Sequence, residues 1–109
     1  MSFSVFLTDD AAQDLAELYD YVAHYDSPRK AEVILNKIES LLNRLAESPD
    51  RGSYPKELIA LGIREYRQVL FKPYRIIYQI IDKNVYVMLI ADGRRDMQML
   101  LERRLLGAD

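Results

Sequence analysis

Apolar residues recur at helical spacing twice in the first half of the chain. The first stripe follows the segment Thr8–Asp10, which suits a helix N-terminus, and the second follows Ser27, which can cap a helix that begins at Pro28. The stripes consist of Ala12, Leu15, Tyr19 and Val22, and then of Ala31, Ile34, Leu35, Ile38, Leu41, Leu42 and Leu45. Because the link between them is short, they predict an antiparallel helical hairpin that ends at Ser48-Pro49.

Strand-like patterns flank this hairpin on both sides. Residues 3–7 alternate apolar and small side chains, and the segments 63–71, 74–81 and 85–91 are rich in β-branched and aromatic residues. The sequence at 82–84 predicts a hairpin turn between the last two strands. The segment 74–81 is apolar on both faces, which is typical of a central strand covered on two sides.

The remaining segments complete a predicted α+β fold in a single domain, 1–109. Residues 50–62, with two glycines and Pro55, predict a connecting loop. Gly93 ends the last strand, a final helix runs to about Leu106, and Gly107 fits its C-terminal cap. The predicted order is β-α-α-β-β-β-α, with an N-terminal αα-hairpin and the other helix packed on one face of a small antiparallel β-sheet.

Composition excludes several kinds of site. The chain has no cysteine, which excludes disulfides and thiolate chemistry, and its single histidine, His24, lies on the polar side of the first helix. No phosphate-binding glycine loop or metal-ligand spacing is present, so no cofactor and no metal site are expected. Without a signal peptide or an apolar run of ~18 residues, a cytoplasmic protein with no membrane partner is expected.

Charge is distributed unevenly along the chain. Residues 1–50 hold four Lys and Arg against ten Asp and Glu, whereas residues 51–75 hold six against two. The total of −2 lacks the overall basicity of most nucleic-acid binders, but a local basic face can attract an acidic partner. The acids of the first helix are expected to be solvated, and four tyrosines fit core positions. These residues are Asp14, Glu17 and Asp20, and Tyr19, Tyr74, Tyr78 and Tyr86.

The long pattern "GIREYRQVLFKPYRIIYQIIDKNVYVMLIADGRRD" resembles the RelE/ParE superfamily of toxins from bacterial type II toxin–antitoxin modules. The hairpin ending in "LAESPDRG" and the terminal "LLERRLLG" extend the likeness over nearly the whole chain. The resemblance implies the same fold as the pattern analysis, a small antiparallel sheet with an N-terminal αα-hairpin.

Members of this superfamily have one of two activities. RelE-like members bind the ribosome and cut mRNA, whereas ParE-like members have no nuclease chemistry and inhibit DNA gyrase. Cutting RNA through its 2′-hydroxyl requires a base, an acid and cations for the phosphorane. The resemblance matches Arg75 and Arg95 to the two arginines of RelE-like enzymes, but Tyr66 and Gln68 stand at their lysine positions and Leu101 at their C-terminal tyrosine.

The resemblance therefore favours a ParE-like toxin without a catalytic site, which inhibits gyrase and is neutralised by a cognate antitoxin in a hetero-oligomer. The tail "RRDMQMLLERRL" has a spacing that looks like the ParE branch. Direct contact with nucleic acid is not expected. The alternatives are a RelE-like, ribosome-dependent mRNA endoribonuclease and an inactive relative that only binds antitoxin.

The C-terminal arginines raise a separate question. Arg103 and Arg104 suit the negative end of the last helix by ~0.3–1 kcal/mol each, but Arg94 and Arg95 lie at its positive end. The latter two need a carboxylate such as Asp92 or Asp96, or a role in binding. Helical spacing also places Met99 and Leu106 opposite the sheet-facing Met97, Leu100 and Leu101. The predicted partner-binding residues are Arg75, Arg94, Arg95, Met99, Arg103 and Leu106.

Overall fold

A computed structural model describes residues 2–107 of the chain. The helices are α1 (Asp9–Tyr25), α2 (Pro28–Glu47), the short α3 (Lys56–Ile59) and α4 (Met97–Leu106). The strands are β1 (Ser4–Leu7), β2 (Tyr66–Phe71), β3 (Tyr74–Ile81) and β4 (Asn84–Asp92). The α+β class and the predicted order are confirmed, and α3 is added within the segment predicted to be a loop.

The four strands form one sheet in the order β1-β4-β3-β2. Strands β2, β3 and β4 are antiparallel neighbours, but β1 pairs in parallel with β4, with Ser4 opposite Asn84 and Leu7 opposite Val87. The sheet is therefore mixed, and the prediction of a wholly antiparallel sheet was wrong for β1. The reason is topological, because the helical hairpin carries the chain from one edge of the sheet to the other and the meander then returns β4 to the side of β1.

The hairpin packs on one face of the sheet. Ile38 is fully buried and Leu42 is nearly so. Both belong to a cluster that also includes the side chains of β3 and β4 on the face toward the hairpin. Leu15 and Tyr19 are partly buried against this cluster, as their spacing predicts. Val22 is buried as predicted, and only the first member of the α1 stripe differs from the prediction. Ala11 is buried in place of Ala12, which is exposed.

The other face of the sheet is covered by α3 and α4. A second cluster on that face consists of Leu58, Ile77, Leu89, Ala91, Met97 and Leu101. The two-sided burial predicted for β3 is confirmed, since Ile76 and Tyr78 face the hairpin cluster and Ile77 faces this one. The expectation that helices lie on one face only was wrong, because α4 packs Met97 and Leu101 on the face opposite the hairpin. The short α3 adds Leu58 there, from a segment too short to show helical periodicity.

Tyr78 fastens the loop after α2 to the sheet. Its buried hydroxyl accepts a hydrogen bond from the Gly52 amide at 3.1 Å and donates one to the Pro49 carbonyl. A Cβ atom at Gly52 would collide with this hydroxyl. Burial raises the pKa of Tyr78, so the hydroxyl stays protonated and keeps its donor. Of the four tyrosines predicted for the core, Tyr74 and Tyr78 are buried, whereas Tyr19 and Tyr86 are only half-buried.

Candidate partner-binding site

The turn between β4 and α4 is fixed by its backbone. The Gly93 amide donates to the Pro73 carbonyl at 2.7 Å, and the Arg95 amide donates to the Asp92 carbonyl at 3.1 Å. The carboxylate of Asp96 accepts from the Met99 amide at 3.1 Å and caps α4, as predicted. The turn therefore presents its two arginines from a defined backbone.

Arg94 is paired within the turn. Its Nη2 lies 2.6 Å from Oδ2 of Asp92, and its Nε lies 2.9 Å from Oδ1. These hydrogen bonds lower the pKa of Asp92 and raise that of Arg94. The Arg94 side chain is 77% exposed, so solvent and salt screen the pair and its contribution to stability is small.

Arg95 has no such partner. Its exposed guanidinium makes no hydrogen bond or ion pair with residues 2–107, because Asp92 is occupied by Arg94 and Asp96 is occupied by the cap of α4. A cation at a helix N-terminus is mildly unfavourable. Folding alone therefore gives little reason for Arg95, and its predicted role in binding stays a prediction.

Arg75 lies on the face of the sheet that α3 and α4 cover, and it contacts α3. Its Nη1 and Nη2 each donate to a different oxygen of Glu57 at 2.8 Å, and its Nε donates to the Gln68 amide oxygen at 2.8 Å. The side chains of Arg75 and Glu57 are each only 12% exposed. The hydrogen bonds from Arg75 lower the pKa of Glu57. Arg75 is thus engaged inside the protein, and its predicted role in partner binding stays a prediction.

The two neighbouring arginines near the end of α4 also differ, since only Arg104 forms an ion pair with another described residue. Arg103 is exposed and makes no hydrogen bond or ion pair with the described part of the chain. Arg104 instead folds back onto α1, where Nη1 and Nη2 lie 2.8 and 3.0 Å from the two carboxylate oxygens of Asp14. Nη1 also donates to the Met88 carbonyl at 2.8 Å. The hydrogen bond with Asp14 raises the pKa of Arg104.

The prediction that Asp14 belongs to a solvated face was wrong, since its side chain is only 14% exposed. Asp14 also accepts a hydrogen bond from the Ile90 amide at 3.0 Å. The physical reason is that β1 ends at Leu7, opposite Val87, so the outer edge of β4 beyond that point has no strand partner. Asp14 and Arg104 satisfy the exposed backbone groups there.

The structure confirms that α4 has two apolar faces. Met97 and Leu101 are buried against the sheet, whereas Met99 and Leu106 are 43% and 45% exposed. The exposed pair lies on the same helix as the unpaired Arg103. Exposed apolar side chains beside a free cation are the composition expected of a surface that contacts another protein.

The three positions that carry proton transfer in RelE-like enzymes lack that chemistry here. Leu101 is fully buried in the second cluster, and the Gln68 amide accepts a hydrogen bond from Arg75. Burial raises the pKa of Tyr66, and the negative charge of Glu65 raises it further by a smaller amount. Within residues 2–107, no group of three or more acidic or histidine side chains is arranged to hold a metal ion. No helix in this range could span a membrane.

An open groove of about 460 Å³ lies between α1 and the β4–α4 turn. Leu18 of α1 and Ile90 of β4 line it with apolar side chains, and Arg95 lies on the wall that the turn provides. Glu17 lies on the facing wall of α1. The groove therefore combines apolar side chains with charges of opposite sign on its two sides.

Residues 5–97 match the family described as "ParE toxin of type II toxin-antitoxin system, parDE". The chain belongs to this ParE toxin family. The match includes the sheet and the turn that carries both Arg94 and Arg95. It ends at Met97, so the remainder of α4 lies outside it.

Individual relatives agree with this family. This ParE toxin is 27% identical over 100 residues to "Toxin ParE3" of Caulobacter vibrioides, a match that covers 92% of this chain and 96% of that protein. It is also similar to a solved structure from P. aeruginosa, "Chromosomal ParDE TA system", with a TM-score of 0.70 and 20% identity over 84% of this chain and 96% of that one. The match in length means that the family fold accounts for nearly the whole chain.

Two RelE-type structures show the same fold at lower similarity. The toxin–antitoxin complex RelBE2 of Mycobacterium tuberculosis gives a TM-score of 0.57 at 20% identity, covering 84% of this chain and 99% of that one. A mutant of the E. coli toxin RelE in the free state gives 0.62 at 17% identity, covering 92% and 93%. At these identities the likeness establishes the fold of this ParE toxin and not its target.

Proposed function

We propose that this ParE toxin inhibits DNA gyrase by protein–protein contact and is kept inactive by a cognate antitoxin. The observation that supports the first part is the state of Arg75. This arginine occupies the position of a charge-stabilising arginine in RelE-like nucleases, but both terminal nitrogens of its guanidinium are bound by Glu57. The residue at the position of the proton-transfer tyrosine, Leu101, is buried.

The energetics of RNA cleavage support the same choice. A phosphorane would have to displace Glu57 from Arg75, and breaking a largely buried ion pair leaves an uncompensated charge. A general base is also missing at the matched position of Tyr66, because burial raises the pKa of its phenol and keeps it protonated at neutral pH. The RelE-like alternative would therefore lack a base and would have one of its two matched arginines already occupied.

The second part of the proposal concerns the antitoxin. Two of the structural neighbours are a chromosomal ParDE toxin–antitoxin system and the toxin–antitoxin complex RelBE2. In this chain, the unpaired cations Arg95 and Arg103 and the exposed Met99 and Leu106 offer charge and apolar area to an acidic amphipathic segment. We expect the antitoxin to cover these side chains and the complex to be a hetero-oligomer.

The purified toxin should be tested in two assays run side by side, a gyrase supercoiling assay and a ribosome-dependent mRNA-cleavage assay. We expect dose-dependent loss of supercoiling, relief of that loss by the antitoxin encoded beside the toxin gene, and no codon-positioned cleavage. Cleavage of mRNA on ribosomes would overturn the proposal in favour of the nuclease. A toxin that is inert in both assays but binds the antitoxin would instead be an inactive relative.

A further inference from the structure

We infer that the groove between α1 and the β4–α4 turn binds one helical segment of the antitoxin, which places a carboxylate between the Arg95 guanidinium and the Tyr74 hydroxyl. This inference rests on the proposed neutralisation by an antitoxin and names the side chains that recognise it. Three features of the groove support it, namely a hydroxyl that is open to the groove, two charges without an ion-pair partner, and an edge of β4 at which two backbone groups are already hydrogen-bonded to side chains.

The hydroxyl that is open to the groove belongs to Tyr74, the first residue of β3. Tyr74 lines the groove, and the residue as a whole is only 9% exposed. Its ring packs at 6.1 Å from that of Phe71, but its hydroxyl makes no hydrogen bond to residues 2–107. Because no described side-chain nitrogen or oxygen is both fully buried and without a partner, this hydroxyl opens into the solvent of the groove. An acceptor supplied by a bound segment would complete the site.

The charges of the groove cancel in pairs, with two exceptions. Asp92 is paired with Arg94, and Asp14 is paired with Arg104. The wall formed by the turn is left with Arg95, and the wall formed by α1 is left with Glu17. Glu17 accepts a hydrogen bond from Gln13, interacts with Arg104 only at longer range, and forms no ion pair within residues 2–107. The complementary surface therefore carries an acidic group near Arg95 and a basic group near Glu17.

The edge of β4 excludes an extended segment as the occupant. A strand that added to this edge would need free backbone groups, but the Ile90 amide is bonded to Asp14 and the Met88 carbonyl is bonded to Arg104. The occupant must therefore be recognised through its side chains. A helix satisfies its own backbone and can present an acid and a base one turn apart, with apolar side chains toward Leu18 and Ile90.

Isothermal titration of the toxin with the antitoxin encoded beside it tests this inference. Arg95→Ala should weaken binding by ~10- to 150-fold, because it removes a charge-assisted hydrogen bond. Tyr74→Phe removes one oxygen atom and should weaken binding by ~2- to 10-fold. Both variants should melt at the wild-type temperature, since neither side-chain polar group has a partner within the described residues. Lys37→Ala, an exposed cation of α2 outside the groove, should bind as the wild type does.

A charge exchange identifies the facing residue. Arg95→Glu should abolish tight binding, and a single Asp→Lys or Glu→Lys change in the antitoxin should restore it. Wild-type affinity in both Arg95→Ala and Tyr74→Phe would overturn the groove assignment while leaving the proposed function intact. A wild-type toxin that fails to bind the antitoxin would overturn both. A free toxin that sediments as a dimer which Arg95→Glu dissociates would assign the groove to a second copy of the chain instead.

Discussion

Arg104 and Asp14, ninety positions apart, form a two-point ion pair with both nitrogen–oxygen distances at or below 3.0 Å. The pair joins the last helix to the first and also binds two backbone groups of β4, the Met88 carbonyl and the Ile90 amide. Three elements distant in sequence are thereby connected at a single point on the edge of the sheet.

Replacing Arg104 with alanine should therefore lower the free energy of unfolding by ~1.5–3 kcal/mol, the usual contribution of hydrogen bonds to a charged group. Arg103→Ala is the matched control, because its exposed side chain has no partner in the described range and its loss should change stability by less than ~0.5 kcal/mol. Urea melts of the two variants provide the comparison. Equal stability in both would mean that the Asp14 pair contributes nothing in solution.

The Arg75–Glu57 pair should make stability depend on pH. Arg75 lowers the pKa of Glu57 from its ordinary value of 4.5, so the folded state binds this proton less readily than the unfolded state does. The stabilisation is therefore complete above about pH 4.5 and is lost as the pH falls from there through the lowered pKa.

Glu57→Gln should reduce stability at pH 7 and flatten the acid limb of the stability profile, which can be followed by denaturant melts between pH 7 and pH 3. Glu39→Gln serves as the control, since Glu39 is exposed on α2 and forms no ion pair with residues 2–107. An acid limb as steep in Glu57→Gln as in the wild type would show that other carboxylates produce it.

The hairpin core offers a test of packing. Ile38 is fully buried between α2 and the sheet, so Ile38→Ala should cost ~2–5 kcal/mol of unfolding free energy through lost burial and the cavity it leaves. Val33→Ala shortens an exposed aliphatic side chain of the same helix and should cost less than ~0.5 kcal/mol. A cost below ~0.5 kcal/mol for Ile38→Ala would contradict its place in the core.

Gly52 provides a fourth prediction. Its amide donates to the Tyr78 hydroxyl, and a Cβ atom there would meet both that hydroxyl and, at 2.6 Å, the Gln68 carbonyl oxygen. Gly52→Ala must displace the loop from the sheet, so the melting temperature should fall by several degrees. Gly62→Ala is not a suitable control, because Gly62 has a positive φ of 76°. Ser53→Ala is the control, because Ser53 is exposed in the same loop and its replacement by alanine only shortens the side chain.

The periodic parts of the fold could be predicted from the sequence, and the non-local parts could not. Long stripes such as that of α2 show which face is buried, and Ile38 and Leu42 lie where their spacing predicts. In α1 the sequence could not show which of Ala11 and Ala12 is buried, because their side chains are chemically identical. The parallel pairing of β1 depends on where the meander ends, which no local pattern records.

The site shows the same division. The turn geometry and the Asp96 cap follow from local residue types, and one of the two carboxylates considered for the arginines, Asp92, indeed pairs with Arg94. The partner of Arg104 lies on the first helix, and the Glu57 partner of Arg75 lies on a helix of four residues. Charged side chains that look alike in the sequence were therefore separated into free and paired ones only by tertiary contacts.

The parallel pairing of β1 with β4 has a consequence for synthesis. Ser4 is opposite Asn84, so the strand made first on the ribosome has its partner in the strand made last. Pairings so distant along the chain close a large loop and form slowly. Until β4 has emerged as far as Val87, β1 lacks its full strand partner. In this member of a toxin family, the sheet therefore stays incomplete until the helical hairpin, the meander and β4 have all been made.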